Sequence, residues 1–457
     1  MNSFDLIVIG GGPAGYFAAE LASKSGLSVC VFEMNALGGV CLNEGCIPSK
    51  ALLNSAKIYS SALHGEVYGV KAEKISLDHA TALKRKDKVV KLLTAGVAAK
   101  MRKNGVVVIK EKAGIIKRED GLFFVKAGDE TYTSEKLLVA TGSSPVLPPI
   151  NGLAQALESG FCLTNKEILS LPGIPESLAV IGAGVIGLEM ASYYAAAGSR
   201  VTVIEATDKI AGATDEEISS VLRKSLEKNG IGFILGATVT GISEGRIEFV
   251  LGDEERVLYA EKLLICTGRR PNTSGIGLED IGVKLDKGAV VTDERLRTNI
   301  PGLYAAGDIN GKSMLAHTAY REAQVAVNDM LGIDDSVDYS AIPSVIYTYP
   351  EAACVGETLA SAGEKGIRAR EITLPLTMSG RYVAEVDRGT GFAKAVIDEN
   401  SKVLGIHILG SYASEIIGMC AEMLSANVSI EEMKKVVIPH PSVSEIIREL
   451  MFEAERS

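Results

Sequence analysis

The chain has 457 residues, a net charge of −10, 47% hydrophobic residues and seven cysteines. This length allows several domains, and the acidic composition excludes the basic stripe that nucleic-acid binding requires. No apolar run is long enough to span a membrane, and the N-terminus lacks the charged and apolar regions of a signal peptide. We therefore expect a cytoplasmic protein that binds neither nucleic acid nor a membrane.

The first fifty residues begin with a strand, a glycine-rich loop and a helix. Residues 4–9 are almost entirely apolar and predict a buried parallel strand, which a GxGxxG loop follows directly. A second strand, at 28–32, ends in an acidic residue. In a dinucleotide-binding unit the glycines allow close approach to the pyrophosphate, and the acid accepts hydrogen bonds from a ribose. The residues that match this pattern are Gly10, Gly12, Gly15 and Glu33.

Two cysteines, Cys41 and Cys46, follow with four residues between them. Residues five apart in a straight helix have Cα atoms about 8.6 Å apart, farther than a disulfide usually spans. Neighbouring glycines allow the backbone to distort, and Pro48 suits the first turn of a helix that continues through Lys50. A close pair beside a nucleotide cradle predicts electron transfer between a bound cofactor and a disulfide.

Other interpretations of the cysteine pair are a structural disulfide, two free core thiols or a zinc site. Structural disulfides are uncommon in intracellular proteins, and zinc usually needs about four ligands. The other five cysteines occur singly, and we expect them to be buried hydrophobic residues. They are Cys30, Cys162, Cys266, Cys354 and Cys420.

The segment after the cysteines predicts a long amphipathic helix over 78–103 and then a series of short strands. The strands are expected at 106–109, 114–116, 122–125 and 137–140. Such a meander could cap the first nucleotide-binding domain. It ends in Thr141 and Gly142.

The strand, glycine loop and helix recur after a proline-rich linker, which is an internal repeat. Gly182, Gly184 and Gly187 form the second loop, and Glu205 ends the next strand. Glu205 follows Gly187 by 18 residues, the same spacing as in the first unit. A 2′-phosphate would require nearby arginines, and none follows Glu205 directly, so the second site is predicted to bind NAD. The alternative is a solvated acid without a ligand.

Two further motifs follow in the central part of the chain. Gly268 and Arg269 belong to a segment that repeats the earlier Thr-Gly pair, and the segment 298–308 predicts a strand that ends in Gly307 and Asp308. Asp308 could hydrogen-bond a ribityl or ribose group of a cofactor. A helix is expected from about Met314 to Leu331, and its N-terminus could stabilise negative charge on a reduced flavin.

From about residue 342 the pattern predicts a separate α+β domain without a glycine cradle, more suited to assembly than to cofactor binding. Near its end His440 lies between two prolines, and Glu445 begins a helix. The prolines stiffen the loop, and the carboxylate could orient the imidazole as an acid–base group. The alternative is a loop histidine whose hydrogen bonds are simply satisfied.

Together these motifs resemble the pyridine nucleotide–disulfide oxidoreductases over nearly the whole chain, and most closely the members that act on dihydrolipoamide. The segments that carry the resemblance are Gly38–Leu53, Gly182–Glu189, Gly268–Asn272, Ala306–Asp308, Leu315–His317 and His440–Glu445. The family implies an α/β fold with two Rossmann-like domains, for FAD and NAD, and a C-terminal α+β dimerisation domain. The expected borders are 1–148 and 270–340 for the FAD-binding domain, 149–269 for the NAD-binding domain and 341–457 for the dimerisation domain.

The resemblance also implies roles for individual residues. Cys41 would exchange with the substrate dithiol, and Cys46 would lie against the flavin. His440, oriented by Glu445, would act as the base at the disulfide of the other subunit. Further implied site residues are Lys50, paired with Glu189, and the cofactor-binding residues Gly114, Thr141, Gly142, Gly268, Arg269, Asp308, Leu315, Ala316 and His317.

The implied activity is the oxidation of a dihydrolipoyl group by NAD⁺ in a homodimer with an active site shared across the interface. The lipoyl group would be carried by a protein of a 2-oxo acid dehydrogenase complex or the glycine cleavage system. Val40 and Glu44 depart from the usual family pattern, and the charge of Glu44 should raise thiol pKa values. A glutathione-type reductase would carry arginines for NADP, a mercuric reductase would carry C-terminal cysteines, and a structural subunit of a multienzyme complex would need neither redox cysteine.

Overall fold

The structure is a computed structural model that describes residues 2–456. Its strands are β1 Asn2–Ile9, β2 Val29–Phe32, β3 Val107–Ile109, β4 Ala113–Glu119, β5 Leu122–Ala127, β6 Glu130–Val139, β7 Ser143–Pro145, β8 Cys162–Leu163, β9 Ser177–Ile181, β10 Arg200–Glu205, β11 Ile231–Leu235, β12 Ala237–Ser243, β13 Arg246–Leu251, β14 Glu254–Tyr259, β15 Lys262–Ile265, β16 Arg269–Pro271, β17 Leu285–Asp286, β18 Ala289–Val290, β19 Leu303–Ala305, β20 Ser344–Ile346, β21 Ala352–Gly356, β22 Ala369–Pro375, β23 Phe392–Asp398 and β24 Val403–Leu409.

Its α-helices are α1 Pro13–Lys24, α2 Gly39–Glu44, α3 Cys46–Leu63, α4 His79–Lys103, α5 Leu153–Glu158, α6 Asn165–Ile168, α7 Val185–Ala196, α8 Glu216–Lys228, α9 Ala316–Met330, α10 Leu359–Glu364, α11 Gly380–Glu385, α12 Ala413–Ser425, α13 Ile430–Lys435 and α14 Glu445–Arg456. The chain forms two compact units. The first contains the residues up to Ala51 together with Thr81–Val146 and Gly268–Val337, and the second contains Leu52–Ala80, Leu147–Thr267 and the residues from Asp338 onward.

The first unit is built on a seven-stranded sheet in which β3, β2, β1 and β6 lie side by side and parallel. One edge of β6 pairs with β1 along almost its whole length. Its other edge pairs with antiparallel β5 in the first half and with parallel β19 in the last three residues. The strand expected at 137–140 is therefore the end of a longer one, and the predicted meander continues this sheet through β5 and β4.

The second unit contains three sheets. A five-stranded parallel sheet has the order β11-β10-β9-β15-β8, and the antiparallel strands β12, β13 and β14 form a smaller sheet. The C-terminal part is an antiparallel sheet of order β20-β21-β24-β23-β22. Residues of α12 and α14 join its inner face in one apolar cluster that includes Ile406, Ile417 and Leu450. Because that cluster is continuous, the C-terminal segment has a hydrophobic core of its own.

A buried ion cluster stabilises the second unit. The Lys394 ammonium on β23 lies 3.0 Å from Asp215, 2.9 Å from Glu217 and 2.8 Å from Glu371, and its side chain is only 4% exposed. Burial opposes its charge, but the hydrogen bonds to the three carboxylates raise the pKa of Lys394 overall. Asp215 also caps helix α8 by accepting the backbone N–H groups of Glu217 and Ile218. The cluster therefore fixes the start of α8 against the C-terminal sheet.

The single cysteines were expected to be buried. Cys30, Cys162 and Cys420 are buried, whereas Cys266 and Cys354 retain partial exposure. Among residues 2–456, no helix is both long and apolar enough to cross a membrane.

Candidate active site

The first glycine loop forms a tight turn between β1 and α1. Gly10 has a φ of +108°, and a Cβ atom on it would lie 2.2 Å from the carbonyl oxygen of Ala140. A Cβ atom on Gly15 would lie 1.8 Å from the carbonyl oxygen of Gly10, so α1 can approach the loop only with glycine there. Glu33, just after β2, accepts the N–H of Gly11 at 2.8 Å. The loop Gly10–Gly15 and Glu33 therefore belong to one hydrogen-bonded turn, which is called the first cradle below.

The second loop, between β9 and α7, repeats this geometry. Gly182 has a φ of +104°, and a Cβ atom on it would lie 2.3 Å from a carbonyl oxygen. A Cβ atom on Gly187 would lie 2.1 Å from the carbonyl oxygen of Gly182, whereas one on Gly184 would meet nothing within 4 Å. Glu205 accepts the N–H of Ala183 at 2.7 Å. The repeat predicted from the sequence is therefore also a repeat of backbone conformation. The loop Gly182–Gly187 and Glu205 are called the second cradle below.

Both loops fit a dinucleotide. The helices that follow have the same length of 12 residues, and the N-cap glycine of each lacks a side-chain cap. No N-cap side chain therefore occupies the first-turn N–H groups of α1, which begin at Ala14 because Pro13 has none, or those of α7. These groups suit a phosphate, which the positive end of the helix dipole also favours. Gly12 and Gly184, at these N-caps, are the positions where a missing side chain lets a pyrophosphate approach the backbone.

The cysteine pair lies at the junction of two helices. Cys41 is in α2, Gly45 interrupts the helix with φ −148° and ψ −107°, and Cys46 begins α3. This break is the distortion expected from the spacing of the cysteines, and α3 continues through Lys50 as predicted. The thiol of Cys41 is hydrogen-bonded with that of Cys46, so the structure shows the pair in its dithiol form.

The surroundings of the pair disfavour the ionisation of Cys41. The hydrogen bond with Cys46, burial and the charge of Cys46 raise the pKa of Cys41, whereas Lys50 lowers it. Cys41 therefore holds its proton more firmly than a solvent-exposed cysteine does. Because Cys41 does not readily ionise by itself, thiol exchange at this sulfur requires an external base.

The α2 helix is held against the first cradle. The N–H of Gly38 donates to the carbonyl oxygen of Gly11 at 2.8 Å. A Cβ atom on Gly39 would lie 2.7 Å from the Cα atom of Gly12. Two glycines in contact thus bring Cys41, two residues later, beside the start of α1.

A polar network connects the motifs around residues 141 and 269. Strands β7 and β16 pair antiparallel, so that the repeated Thr-Gly segments lie together. Arg269 donates to the hydroxyl of Ser143 at 2.8 Å, and this hydroxyl donates to the carboxylate of Asp308. Burial lowers the pKa of Arg269, while the charges of Asp308, Glu44 and Cys46 act in the opposite direction. The charge of Glu44, which departs from the family pattern, therefore acts on Arg269 together with that of Cys46.

Several predicted cofactor residues already have partners within the first unit. The Thr141 hydroxyl donates to the carbonyl oxygen of Asn272 at 2.7 Å, and the amide N–H of Asn272 donates to the carbonyl oxygen of Gly142 at 2.9 Å. Their direct contact with a cofactor stays a prediction. Leu315 caps α9 without a side-chain hydrogen bond, which leaves the N-terminus at Ala316 and His317 suited to negative charge. Gly114 lies in β4, where an added Cβ atom would come within 3.9 Å of the backbone of Ile276.

A pair of tyrosines in the first unit was not predicted from the sequence. The hydroxyl groups of Tyr16 in α1 and Tyr320 in α9 are hydrogen-bonded to each other. Cys41 and Cys46 contribute to raising the pKa of each tyrosine, after the larger effect of burial. Tyr16 follows the glycine loop by one turn and could have drawn attention there. Tyr320 has no local signal.

In the second unit, His440 and Glu445 form a hydrogen-bonded dyad. The Nδ1 atom of His440 lies 3.1 Å from Oε1 of Glu445, whose other oxygen accepts the N–H of Ser442 at 3.0 Å. The hydrogen bonds from Ser442 and His440 lower the pKa of Glu445, which therefore stays ionised and holds a proton on Nδ1. The imidazole is 78% exposed. Its Nε2 atom is consequently presented to solvent as a base.

Lys50 and Glu189 lie in different units, so their predicted pairing stays a prediction. Lys50 lies four residues after Cys46 in α3 and lowers the pKa of Cys41. Glu189 is buried in α7 and accepts the N–H of Tyr347 at 3.1 Å.

Two dinucleotide cradles, the first of which has a dithiol beside it, define the class of protein. It is an oxidoreductase that works with two cofactors. Comparison with known proteins agrees with this class. Residues 4–323 match the family described as pyridine nucleotide-disulphide oxidoreductase, and residues 342–451 match the dimerisation domain of the same family. The chain belongs to the pyridine nucleotide-disulphide oxidoreductases. The predicted family, enzyme class and fold class are confirmed, and FAD and NAD are the cofactors that this family implies.

Curated relatives match over their full length. The dihydrolipoyl dehydrogenase of Chlamydia muridarum is 36% identical over 453 residues, covering 97% of this chain and 95% of the relative. Dihydrolipoyl dehydrogenase 3 of Pseudomonas putida is 38% identical over 464 residues, covering 98% and 97%. Among solved structures, LpdA from Mycobacterium tuberculosis is similar with a TM-score of 0.89, 27% identity and 99% coverage of both chains. The HOCl-induced flavoprotein disulfide reductase RclA from Escherichia coli has a TM-score of 0.85, 27% identity and coverage of 98% and 99%.

Proposed function

We propose that this protein oxidises a dihydrolipoyl group to its cyclic disulfide and passes the electron pair to NAD⁺. The observation that carries the proposal is the hydrogen-bonded pair Cys41–Cys46, which is held against a dinucleotide cradle. Full-length relatives named dihydrolipoyl dehydrogenase support this choice of substrate. The absence of an arginine directly after Glu205 supports NAD over NADP as the second cofactor.

The cofactors divide the task between the two cradles. The residues that would hold FAD are the cradle at Gly10–Gly15 with Glu33, aided by Asp308 and the N-terminus of α9. The cradle at Gly182–Gly187 with Glu205 would hold NAD. When bound, FAD supplies a two-electron acceptor next to the dithiol, and NAD⁺ supplies the final hydride acceptor.

The side chains of this chain perform the sulfur chemistry. Nε2 of His440 takes a proton from one substrate thiol, and Glu445 stabilises the resulting imidazolium. The substrate thiolate attacks the sulfur of Cys41, the bond between Cys41 and Cys46 breaks, and its electron pair moves to Cys46. The second substrate thiol then attacks the first substrate sulfur, which releases the cyclic disulfide and leaves Cys41 to be protonated.

The base and the dithiol would come from different subunits. The match to the dimerisation domain covers His440 and Glu445, and the side chain of His440 is exposed to solvent. A second copy of the chain would bring its imidazole to the Cys41 of the first. The substrate would arrive on a separate lipoyl-bearing carrier of a 2-oxo acid dehydrogenase complex or the glycine cleavage system. We expect the cytoplasm as the location, because the isolated cysteines suit a reducing compartment.

The proposal is tested by dihydrolipoamide-dependent formation of NADH with FAD-loaded protein. Cys41→Ser should abolish it. His440→Gln should reduce it by about 10²-fold or more, the usual contribution of acid–base catalysis. His440→Gln should leave NADH-dependent reduction of an artificial acceptor intact, because that reaction does not use the imidazole. Unchanged NADH formation with Cys41→Ser would contradict the proposal, and a wild type that forms no NADH would favour a structural subunit. An equal loss of both activities in His440→Gln would contradict the role of the base.

A further inference from the structure

The base of the proposed reaction lies on a loop of the second unit. Residues 436–444 connect α13 to α14 without regular secondary structure. Because the imidazole of His440 is exposed, packing does little to fix its direction. The orientation of the ring therefore depends on Glu445, whose two carboxylate oxygens lie 3.1 and 3.2 Å from Nδ1.

Ser442, on the same loop, is held from both sides by its backbone. Its N–H donates to Oε2 of Glu445 at 3.0 Å. Its carbonyl oxygen accepts the hydroxyl of Ser379, a residue 63 positions earlier in the chain, also at 3.0 Å. Ser442 therefore stands between the Ser379 hydroxyl and the carboxylate that orients the imidazole.

Ser379 is itself fixed to the core of the C-terminal sheet. It is buried, and its N–H donates to the carbonyl oxygen of Leu376 at 2.9 Å. Leu376 belongs to that core, and its own N–H donates to the carbonyl oxygen of Gly391 at 2.9 Å. The Ser379 hydroxyl also caps α11 by accepting the N–H of Tyr382 at 3.3 Å. Since a hydroxyl has a single hydrogen, the bond to Ser442 uses it and fixes its direction.

We propose that Ser379 is a positioning residue for His440, because its hydroxyl anchors Ser442 and so holds Glu445 against the imidazole. This inference rests on the proposed function, in which Nε2 of His440 takes a proton from a substrate thiol. A proton held on Nδ1 leaves Nε2 as the acceptor, so the position of Glu445 decides which nitrogen can act as the base. Loss of the Ser379 hydroxyl should let Glu445 move and return part of the proton to Nε2.

The test measures the two tautomers of His440 in FAD-loaded protein that contains ¹⁵N-labelled histidine. Long-range ¹H–¹⁵N spectra at about pH 9, well above the ordinary pKa of histidine, distinguish a proton on Nδ1 from one on Nε2 and require no turnover. The chain has five histidines, and His440→Gln assigns the signal of His440 by its loss.

Ser379→Ala should lower the ratio of the Nδ1–H form to the Nε2–H form by at least about threefold, which is within the range that one hydrogen bond supplies. Formation of NADH from dihydrolipoamide should fall by a similar factor, because fewer imidazoles present a free Nε2. In a Glu445→Ala background, Ser379→Ala should not change the ratio further, since the connection to the imidazole is already broken.

The matched control is Thr358→Ala in the same unit. Thr358 caps α10, a helix of the same length as α11, by accepting the N–H of Ser361 at 3.0 Å. Both alanine variants lose an N-cap, so both should lower the unfolding midpoint. Thr358→Ala should nevertheless keep the wild-type tautomer ratio.

A tautomer ratio in Ser379→Ala within about 1.5-fold of that in Thr358→Ala would overturn the inference. A further change of the ratio in the Glu445→Ala background would also overturn it, because Ser379 would then act by another route. Failure of the proposed function is a separate result. It would appear as a wild type that does not oxidise dihydrolipoamide, whereas the tautomer ratio is measured without substrate.

Discussion

Two glycines of the second cradle should respond differently to replacement by alanine. One replacement should lower the stability of the fold, and the other should weaken the binding of NAD⁺. An added methyl group at Gly187 would lie 2.1 Å from the Gly182 carbonyl oxygen and 3.3 Å from a methyl group of Val180. Carbon and oxygen atoms in contact need more than 3 Å, so α7 would have to move by about 1 Å, at a cost of about 1–3 kcal/mol. Gly187→Ala should therefore lower the unfolding midpoint.

Gly184→Ala is the matched variant. Its φ of −76° suits any residue, and an added Cβ atom would meet nothing within 4 Å. The unfolding midpoint should stay unchanged or rise slightly, because alanine removes about 0.4–1 kcal/mol of unfolded-state entropy. The methyl group would, however, occupy the space into which the pyrophosphate must come. We expect the Kd for NAD⁺ to increase at least tenfold, or about 1.4 kcal/mol.

The assay is denaturant unfolding followed by circular dichroism, together with calorimetric titration of NAD⁺. The FAD content should be unchanged in Gly184→Ala, since the first cradle lies in the other unit. Wild-type affinity for NAD⁺ in Gly184→Ala would refute the assignment of the second cradle. Wild-type stability of Gly187→Ala would refute the steric reasoning.

Three further predictions concern charge. Lys394→Met should destabilise the second unit by about 3–5 kcal/mol at neutral pH, because three carboxylates lose their buried partner. The pKa of Asp215 is lowered in the folded wild type, so the stability that its ionised form contributes is lost as the pH falls through that lowered pKa. The difference in unfolding midpoint between the wild type and Lys394→Met should therefore shrink below about pH 4. Glu205→Ser combined with Ala206→Arg should shift the ratio of Kd values toward NADP⁺ by at least about tenfold, and an unchanged ratio would contradict the ribose contact. Glu44→Gln should lower the pH midpoint for alkylation of the pair Cys41 and Cys46 by about half a unit, because a neighbouring negative charge disfavours the thiolate. A rise in this midpoint would contradict that effect.

The features that the sequence predicts well are local in the chain. Each cradle is encoded by a strand, three glycines and an acid within about 30 residues. The first and third glycines of each cradle are required because a Cβ atom there would lie only 1.8–2.3 Å from a carbonyl oxygen. The break between Cys41 and Cys46 follows from the reach of a disulfide. Glu445 begins α14 and contacts His440, five residues away, as the loop pattern indicated.

The features that the sequence does not reveal connect distant positions. Tyr16 and Tyr320 are 304 residues apart, and Ser143 and Asp308 are 165 apart. No periodicity or motif relates such partners, because their contact arises only when helices or strands from separate segments assemble. The second half of β6 was predicted, but its first half was not, because residues 130–136 are polar except for Tyr132 and carry no apolar pattern.

The most direct test of the central claim is an anaerobic titration of FAD-loaded protein with NADH, followed by visible absorption. We predict a yellow protein that gains a long-wavelength thiolate–flavin band with the first electron pair, as the bond between Cys41 and Cys46 opens. Cys41→Ser should show this band before any NADH is added, because its Cys46 thiolate has no sulfur partner. A protein that stays colourless with FAD, or a Cys46→Ser variant with the same band as the wild type, would contradict the account.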